Sequence, residues 1–318
     1  MAEIGVDIKK SKNLLEKGKL VAIPTETVYG LAANGFNEKA ISEVFSVKNR
    51  PSFDPLILHS YSTEAVEKYA GPLPPKAQLL ATHFWPGPLT MVLPKKSIVP
   101  FIVTSGLDTV AVRIPQHPIT LQLLKQLPFP LAAPSANPFG FVSPTSAKHV
   151  DQYLGSEIDY ILDGGNCNIG LESTIISFVK ETPIILRKGG LSIESIENLI
   201  GKVDIKTTSS SKPSAPGMLS KHYSPGIPLV LGNLPELIEV NKLKRYGVLS
   251  FSNPYATSEP ALLKILSPKK DMTEAARNLF AYMREFTELK PEVILGEFLP
   301  EKGLGIAIND RLKRAAAS

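Results

Sequence analysis

Cysteine is almost absent from the 318 residues: Cys167 stands alone. An internal disulfide is therefore excluded, and so is a cysteine-based zinc site. No apolar run approaches the roughly 18 residues that span a bilayer. The opening stretch, MAEIGVDIKKSKNLLEKGKL, is charged from its third residue and lacks the apolar core of a secretory signal. These absences predict a soluble, cytoplasmic protein of a reducing compartment, with no membrane contact. Signature loops are missing too. There is no GxxxxGK[ST], no GxGxxG, no HExxH and no GxSxG. The histidines, His59, His83, His117, His149 and His222, show no metal-ligand spacing, and no protein-held metal is expected. P-loop nucleotide hydrolases, ordinary dinucleotide enzymes and zinc hydrolases lose ground.

Arginine is scarce where lysine is not. The first 200 residues contain only Arg50, Arg113 and Arg187, and their acidic and basic groups balance. The whole net charge of +5 therefore lies beyond residue 200. A basic excess suits an anionic partner such as a nucleotide or a nucleic acid, but the first 200 residues carry none. Arginine is the better group for fixed, forked contact with carboxylate or phosphate, which makes three isolated arginines worth following.

Apolar residues make up 43% of the chain and charged residues 20%, enough for a large core and against disorder. The length predicts two domains. Short strands are expected at 20–23, 56–58, 89–93, 109–114, 131–133, 160–162, 174–178 and 184–186. Helical periodicity appears from Asn37 to Phe45 and over 62–70, 76–84, 119–127, 146–154 and 193–200. Several strands follow one another directly, so the expectation is α/β with a mixed, twisted sheet and helices. Residues 202–226 are rich in Ser, Thr, Pro and Gly and read as a linker, although PGMLSKHYSPG is unusual for a passive spacer. Residues 227–318 return to alternation as a smaller, Rossmann-like α/β domain. There Asp271 and Glu274 resemble a capping box that opens a helix to about Leu289.

The polar residues gather where strands end. In Pro24-Thr25-Glu26-Thr27-Val28-Tyr29-Gly30, an extended chain would place both threonines on one side, as a ligand contact or as a polar turn. Lys48 and Arg50 follow a helix and precede Pro51; they can bracket phosphate oxygens or answer the helix dipole. His59 ends an apolar strand, as a core histidine or as a ligand contact. Arg113 sits in the apolar run Val110 to Ile114, where burial demands an anion, from the protein or from a substrate. Ala133-Pro134-Ser135-Ala136-Asn137 and Ser143-Pro144-Thr145 form stiff loops with exposed hydroxyl and backbone groups. Asp163-Gly164-Gly165, Glu172-Ser173-Thr174 and Arg187-Lys188-Gly189-Gly190 add glycines and a cation at strand ends. Together they are the inventory of an anion-rich site, such as one for a nucleoside triphosphate and a carboxylate.

In this order, the motifs at 24–31, 48–51, 55–59, 133–137, 143–145, 172–175 and 186–189 are similar to the YrdC-type domain. Pro216-Gly217-Met218 with His222-Tyr223-Ser224-Pro225, and the residues after them, resemble the long form of threonylcarbamoyl-AMP synthase. The resemblance covers nearly the whole chain, with a YrdC-type domain at 1–201, a linker covering the active site at 202–226 and a C-terminal domain at 227–318. One departure is Lys188 before Gly189, where the family commonly has proline. The resemblance implies a nucleotidyltransferase that makes threonylcarbamoyl-AMP and pyrophosphate from L-threonine, bicarbonate or CO2, and ATP. A separate transferase then modifies an adenosine of tRNA, so contact with tRNA is indirect. It implies Thr27, His59, Arg113, Ala133 and Ser173 as threonine contacts. It implies Lys48, Arg50, Asp54, Thr109, Ser135, Asn137, Ser143, Arg187 and Tyr223 as ATP contacts, with Lys48 and Arg50 catalytic. Mg²⁺ is expected on the triphosphate. Two other readings remain: a non-catalytic double-stranded-RNA-binding module, and a hydrogenase-maturation component, which usually carries additional zinc-finger or acylphosphatase-like segments.

Overall fold

The computed structural model describes residues 1–208, 213–218, 222–255, 257 and 259–317. Its first part runs β1 (Glu3–Gly5), α1 (Ile8–Glu16), β2 (Val21–Ile23), β3 (Gly30–Asn34), α2 (Glu38–Lys48), β4 (Ile57–His59), α3 (Thr63–Ala70) and α4 (Pro75–Phe84). It continues with β5 (Leu89–Pro94), α5 (Phe101–Thr104), β6 (Thr109–Arg113), α6 (Pro118–Leu124), β7 (Leu131–Ala132), α7 (Ala147–Leu154) and β8 (Tyr160–Leu162). β9 (Thr174–Ser177), β10 (Ile184–Arg187), α8 (Ile193–Ile200) and β11 (Asp204–Ile205) complete it. These strands form one 11-stranded sheet in the order β1-β8-β2-β3-β7-β4-β6-β5-β9-β10-β11. Pairing is mixed: β4 and β6 are parallel, while β7 and β5 run antiparallel to them.

The second part has β12 (Leu229–Leu231), α9 (Leu234–Asn241), β13 (Tyr246–Ser250), β14 (Leu263–Ile265), α10 (Met272–Leu289), β15 (Val293–Gly296) and α11 (Leu304–Ala316). Its four strands, in the order β12-β15-β13-β14, are all parallel. The main apolar core lies on the large sheet, under α2, α3 and α4. A second core joins the two parts: Val28, Val142, Leu171 and Tyr223 pack with Leu279, Phe280 and Ile308.

Local chemistry explains most of the element ends. Asn37 accepts from Lys39 N and Ala40 N to open α2, and Asn49, left-handed at φ 49°, closes it just before Arg50. Several elements escaped the sequence patterns, among them β1, α1, α5 and β14, and two are instructive. β3 is Gly-Leu-Ala-Ala-Asn, poor in strand formers, and exists because β2 and β7 flank it. The linker holds β11, which adds to the sheet edge beside β10. The capping box is only half formed. Asp271 accepts from Thr273 N and Glu274 N, but Glu274 reaches the Ser267 hydroxyl, and it is Ser267 Oγ that accepts from Asp271 N.

Candidate active site

Strand ends from the middle of the large sheet and the linker converge on one cleft, with about 590 Å³ of empty space including its solvent-filled mouth. His59 and Arg113 stand opposite each other in the β4–β6 register, so the fold places them together at the same sheet end. Arg50 arrives from the turn after α2, and Arg187 from the end of β10. All three N-terminal arginines thus line one cavity, with Thr27, His59, Ala133, Ser135, Pro216, Gly217, His222 and Tyr223.

Each buried arginine of the cavity is ion-paired or hydrogen-bonded, as a low-dielectric site requires. Arg50 Nη2 lies 3.0 Å from Asp54 Oδ2 and donates to Pro55 O, while its Nε donates to Asp54 O. Arg113 Nη2 donates to Glu26 Oε1 at 2.7 Å, and its Nε donates to Gly87 O. The anion that buries Arg113 is therefore supplied by the protein, and the guanidinium still borders the cavity. Arg187 Nη2 and Nε donate to Ser173 Oγ and Ser173 O, both at 3.0 Å. Glu172 takes the Ser143 hydroxyl on Oε1 at 2.6 Å and Arg311 on Oε2 at 3.0 Å. Burial opposes ionisation of Glu172, but the Arg311 and Arg187 charges and the Ser143 hydrogen bond hold its pKa at about 2. Burial, reinforced by the Arg113 charge, pushes His59 down to about 3, so its imidazole is neutral.

The threonines come together for a reason other than an extended strand. The chain turns at Thr25, whose Oγ1 donates to Val28 O and accepts from Thr27 N and Val28 N. That turn leaves the Thr25 and Thr27 hydroxyls 2.8 Å apart. Behind the cavity, Lys48 donates to Ser135 O and Asn137 O and so fixes the 133–137 loop. Burial, with Arg50 nearby, drives the Lys48 pKa well below its ordinary value. Gly189 is required where it stands, since a Cβ there would lie 2.4 Å from Glu172 O.

Residues 13–189 match the family described as Telomere recombination, and residues 191–317 match that described as Threonylcarbamoyl-AMP synthase, C-terminal domain. A threonylcarbamoyl-AMP synthase of Pyrococcus abyssi is 43% identical over 326 residues, spanning 97% of this chain and 94% of that protein. One of Bacillus subtilis is 39% identical over 320 residues, spanning 97% of this chain and 92% of its own. The chain belongs to the threonylcarbamoyl-AMP synthase family. A crystal structure of P. abyssi Sua5 complexed with L-threonine superposes with a TM-score of 0.92 at 40% identity, covering 100% of this chain and 98% of that one. Membership favours the catalytic reading over a double-stranded-RNA-binding module.

For a threonylcarbamoyl-AMP synthase, the sequence-derived residues fall into three groups. Thr27, Arg50, His59, Arg113, Ala133, Ser135, Arg187 and Tyr223 line the cavity. Lys48, Asp54, Ser143 and Ser173 stand behind it and bond to those that do, and Asn137 joins them by donating its backbone N–H to Ser135 O. Thr109 belongs to neither group: it starts β6, about 13 Å of strand from Arg113. Sequence reasoning passed over Glu26 and Glu172 as site residues, although both lie inside quoted motifs. An unpaired arginine in an apolar strand was the signal for Glu26; nothing nearby signalled that Arg311 would answer Glu172. Among the described residues no three His, Cys, Asp or Glu side chains group to hold a metal, and no helix is long and apolar enough to cross a membrane.

Proposed function

We propose that the cavity joins L-threonine, bicarbonate or CO2, and ATP into threonylcarbamoyl-AMP with release of pyrophosphate. The convergence of Arg50, Arg113 and Arg187 on one cavity, each from a different element, carries this reading. In the reaction, the amine nitrogen of threonine forms a bond to the carbon of CO2 and loses a proton, giving a carbamate. A carbamate oxygen then attacks the α-phosphorus, and the bond to the bridging oxygen breaks as pyrophosphate leaves. Such transfer needs positioning and charge stabilisation more than covalent help.

The roles follow the geometry. Arg113 holds the threonine carboxylate on the edge that Glu26 does not occupy, with Thr27 and backbone at Ala133 alongside. A neutral His59 adds no second cation there. Arg50, Ser135 and Arg187 face the phosphates, and Tyr223 closes over the nucleotide from the linker. Asp54 and Asn137 act from behind the cavity, Asp54 by pairing with Arg50 and Asn137 by bracing the 133–141 loop through Pro138 O and Phe141 O. With Glu26 and Glu172 both engaged, the residues offer Mg²⁺ no ligand set, and the ion belongs on the triphosphate as ATP brings it. Closure by the linker would keep water from the carbamate and the mixed anhydride. A cytoplasmic setting, with a separate transferase that passes the product to tRNA, completes the reading.

The test is omission. Pyrophosphate release should require ATP, L-threonine and bicarbonate together, and D-threonine should fail to substitute. Release that ignores threonine would overturn the proposal. Salt-sensitive binding of double-stranded RNA with no threonine-dependent turnover would install the rival.

A further inference from the structure

The last helix of the C-terminal part presents three charged side chains to the catalytic part from one face, spaced i, i+1 and i+4: Asp310, Arg311 and Arg314. Arg311 is fully buried. Its Nε and Nη2 both donate to Glu172 Oε2, at 3.2 and 3.0 Å. Its Nη1 donates to Lys188 O at 2.6 Å and to Asp310 Oδ2 at 3.0 Å. The guanidinium also lies 5.3 Å from the centre of the Tyr223 ring. Arg314 donates through Nη1 to Gly217 O at 2.7 Å and through Nη2 to Thr207 O at 2.9 Å. Asp310 accepts from both arginines and so fixes the two forks relative to each other.

We propose that Arg311, in the C-terminal part, is a positioning residue for the nucleotide end of the catalytic cavity. Every group it holds leads directly to that end. Glu172 carries Ser143 and precedes Ser173, the partner of Arg187. Lys188 follows Arg187, and its carbonyl is held where a proline would otherwise stiffen the loop. Tyr223, beside the Arg311 guanidinium, lines the cavity, as does Gly217, which Arg314 holds. Adhesion alone does not need this arrangement, because the apolar cluster of Val28, Val142 and Leu171 with Phe280 and Ile308 already joins the parts. A buried arginine is costly unless every donor is used, and what it adds over apolar packing is direction. Among the described residues, Thr27, His59 and Arg113 at the threonine end have no bond to the last helix, and the Ser173 hydroxyl, expected there from the sequence, is engaged with Arg187 and Thr90. The two ends of the cavity should therefore respond differently. This rests on the nucleotide assignment of the proposed function.

Arg311→Lys keeps the charge opposite Glu172 but cannot bridge Glu172, Lys188 and Asp310 at once. Calorimetric titration of the full-length chain with ATP and, separately, with L-threonine reads the proposal without any need for turnover. The expected result is ATP binding weakened about tenfold or more, threonine binding changed less than about twofold, and a melting temperature near that of the parent. A folded Arg311→Lys protein with unaltered ATP affinity would overturn it, as would equal loss for both ligands. If the lysine variant fails to fold, the charge-neutral pair Arg311→Met with Glu172→Gln replaces it, since removal of both charges spares the fold. Normal ATP affinity in that folded pair would count equally against the proposal. Weak ATP binding beside normal threonine binding, beyond any loss in Glu172→Gln alone, would support it. If the parent chain binds both ligands but makes no product, the function reading fails while this one stands.

Discussion

Two kinds of arginine face the same cavity, and they are held in different ways. On the floor, Arg50 and Arg113 are neutralised within the large-sheet part. Asp54 lies four residues from Arg50, and Glu26 sits in the loop after β2. On the roof, Arg187 is held by Ser173 and by Pro216 of the linker, and the neighbouring Glu172 is answered by Arg311 from 139 residues away. The floor is thus held wholly within the large-sheet part. The roof is held from the large sheet by Ser173 and completed by Pro216 of the linker and Arg311 of the last helix. This division also explains the charge distribution. Two of the cations beyond residue 200, Arg311 and Arg314, are buried against protein groups and cannot form a nucleic-acid surface.

Floor residues should give the largest losses. Arg50→Ala removes a phosphate contact and leaves Asp54 buried without its partner. Threonine-dependent pyrophosphate release should fall by about 10³-fold, the scale for deletion of a preorganised donor. Stability should drop by about 3–5 kcal/mol, the cost of breaking a buried pair. Near-normal release would remove Arg50 from the phosphates. Arg113→Ala comes next. The threonine KM should rise by about 10²-fold, in line with two charged hydrogen bonds, with a smaller change in the KM for ATP. An unchanged threonine KM would sever Arg113 from the carboxylate.

Acid should separate floor from roof more gently. His59 has a folded pKa of about 3 against an ordinary 6.5, so the unfolded chain takes up its proton first. Its contribution is complete above pH 6.5 and is lost as pH falls from there toward 3, at up to about 1.4 kcal/mol per pH unit. Glu172, held at about 2 against an ordinary 4.5, begins to cost stability only below about pH 4.5. Denaturant midpoints measured from pH 7 to 5 should decline, and His59→Gln should remove part of that decline, the rest belonging to His222 and His149, which burial lowers to about 3 and about 4. An unchanged slope in the variant would show that His59 is not among the groups that titrate.

The same division decides what the sequence could reveal. Arg113 was legible because an arginine in an apolar strand demands an anion, and the β4–β6 register then puts His59 beside it. Cavity residues on Thr27, Ala133 and Ser135 were legible as motifs at strand ends. Gly30–Asn34 escaped because it becomes a strand only between β2 and β7, whereas Ile8–Glu16 was missed although Asp7 caps it locally. Thr25 and Thr27 meet through a turn that alternation could not foresee. Lys48 reads as a free cation, yet two of its donors are spent on the loop it supports. Arg311 was invisible, because no local pattern tells a basic residue on a C-terminal helix that its carboxylate lies in the other part of the chain.

One measurement bears most directly on the account. The full-length chain is incubated with ATP, L-threonine and ¹³C-labelled bicarbonate, and the products are resolved by mass spectrometry. The account predicts threonylcarbamoyl-AMP carrying the label, formed in equal amount with pyrophosphate. ATP breakdown to AMP and pyrophosphate without a labelled threonine adduct would contradict it.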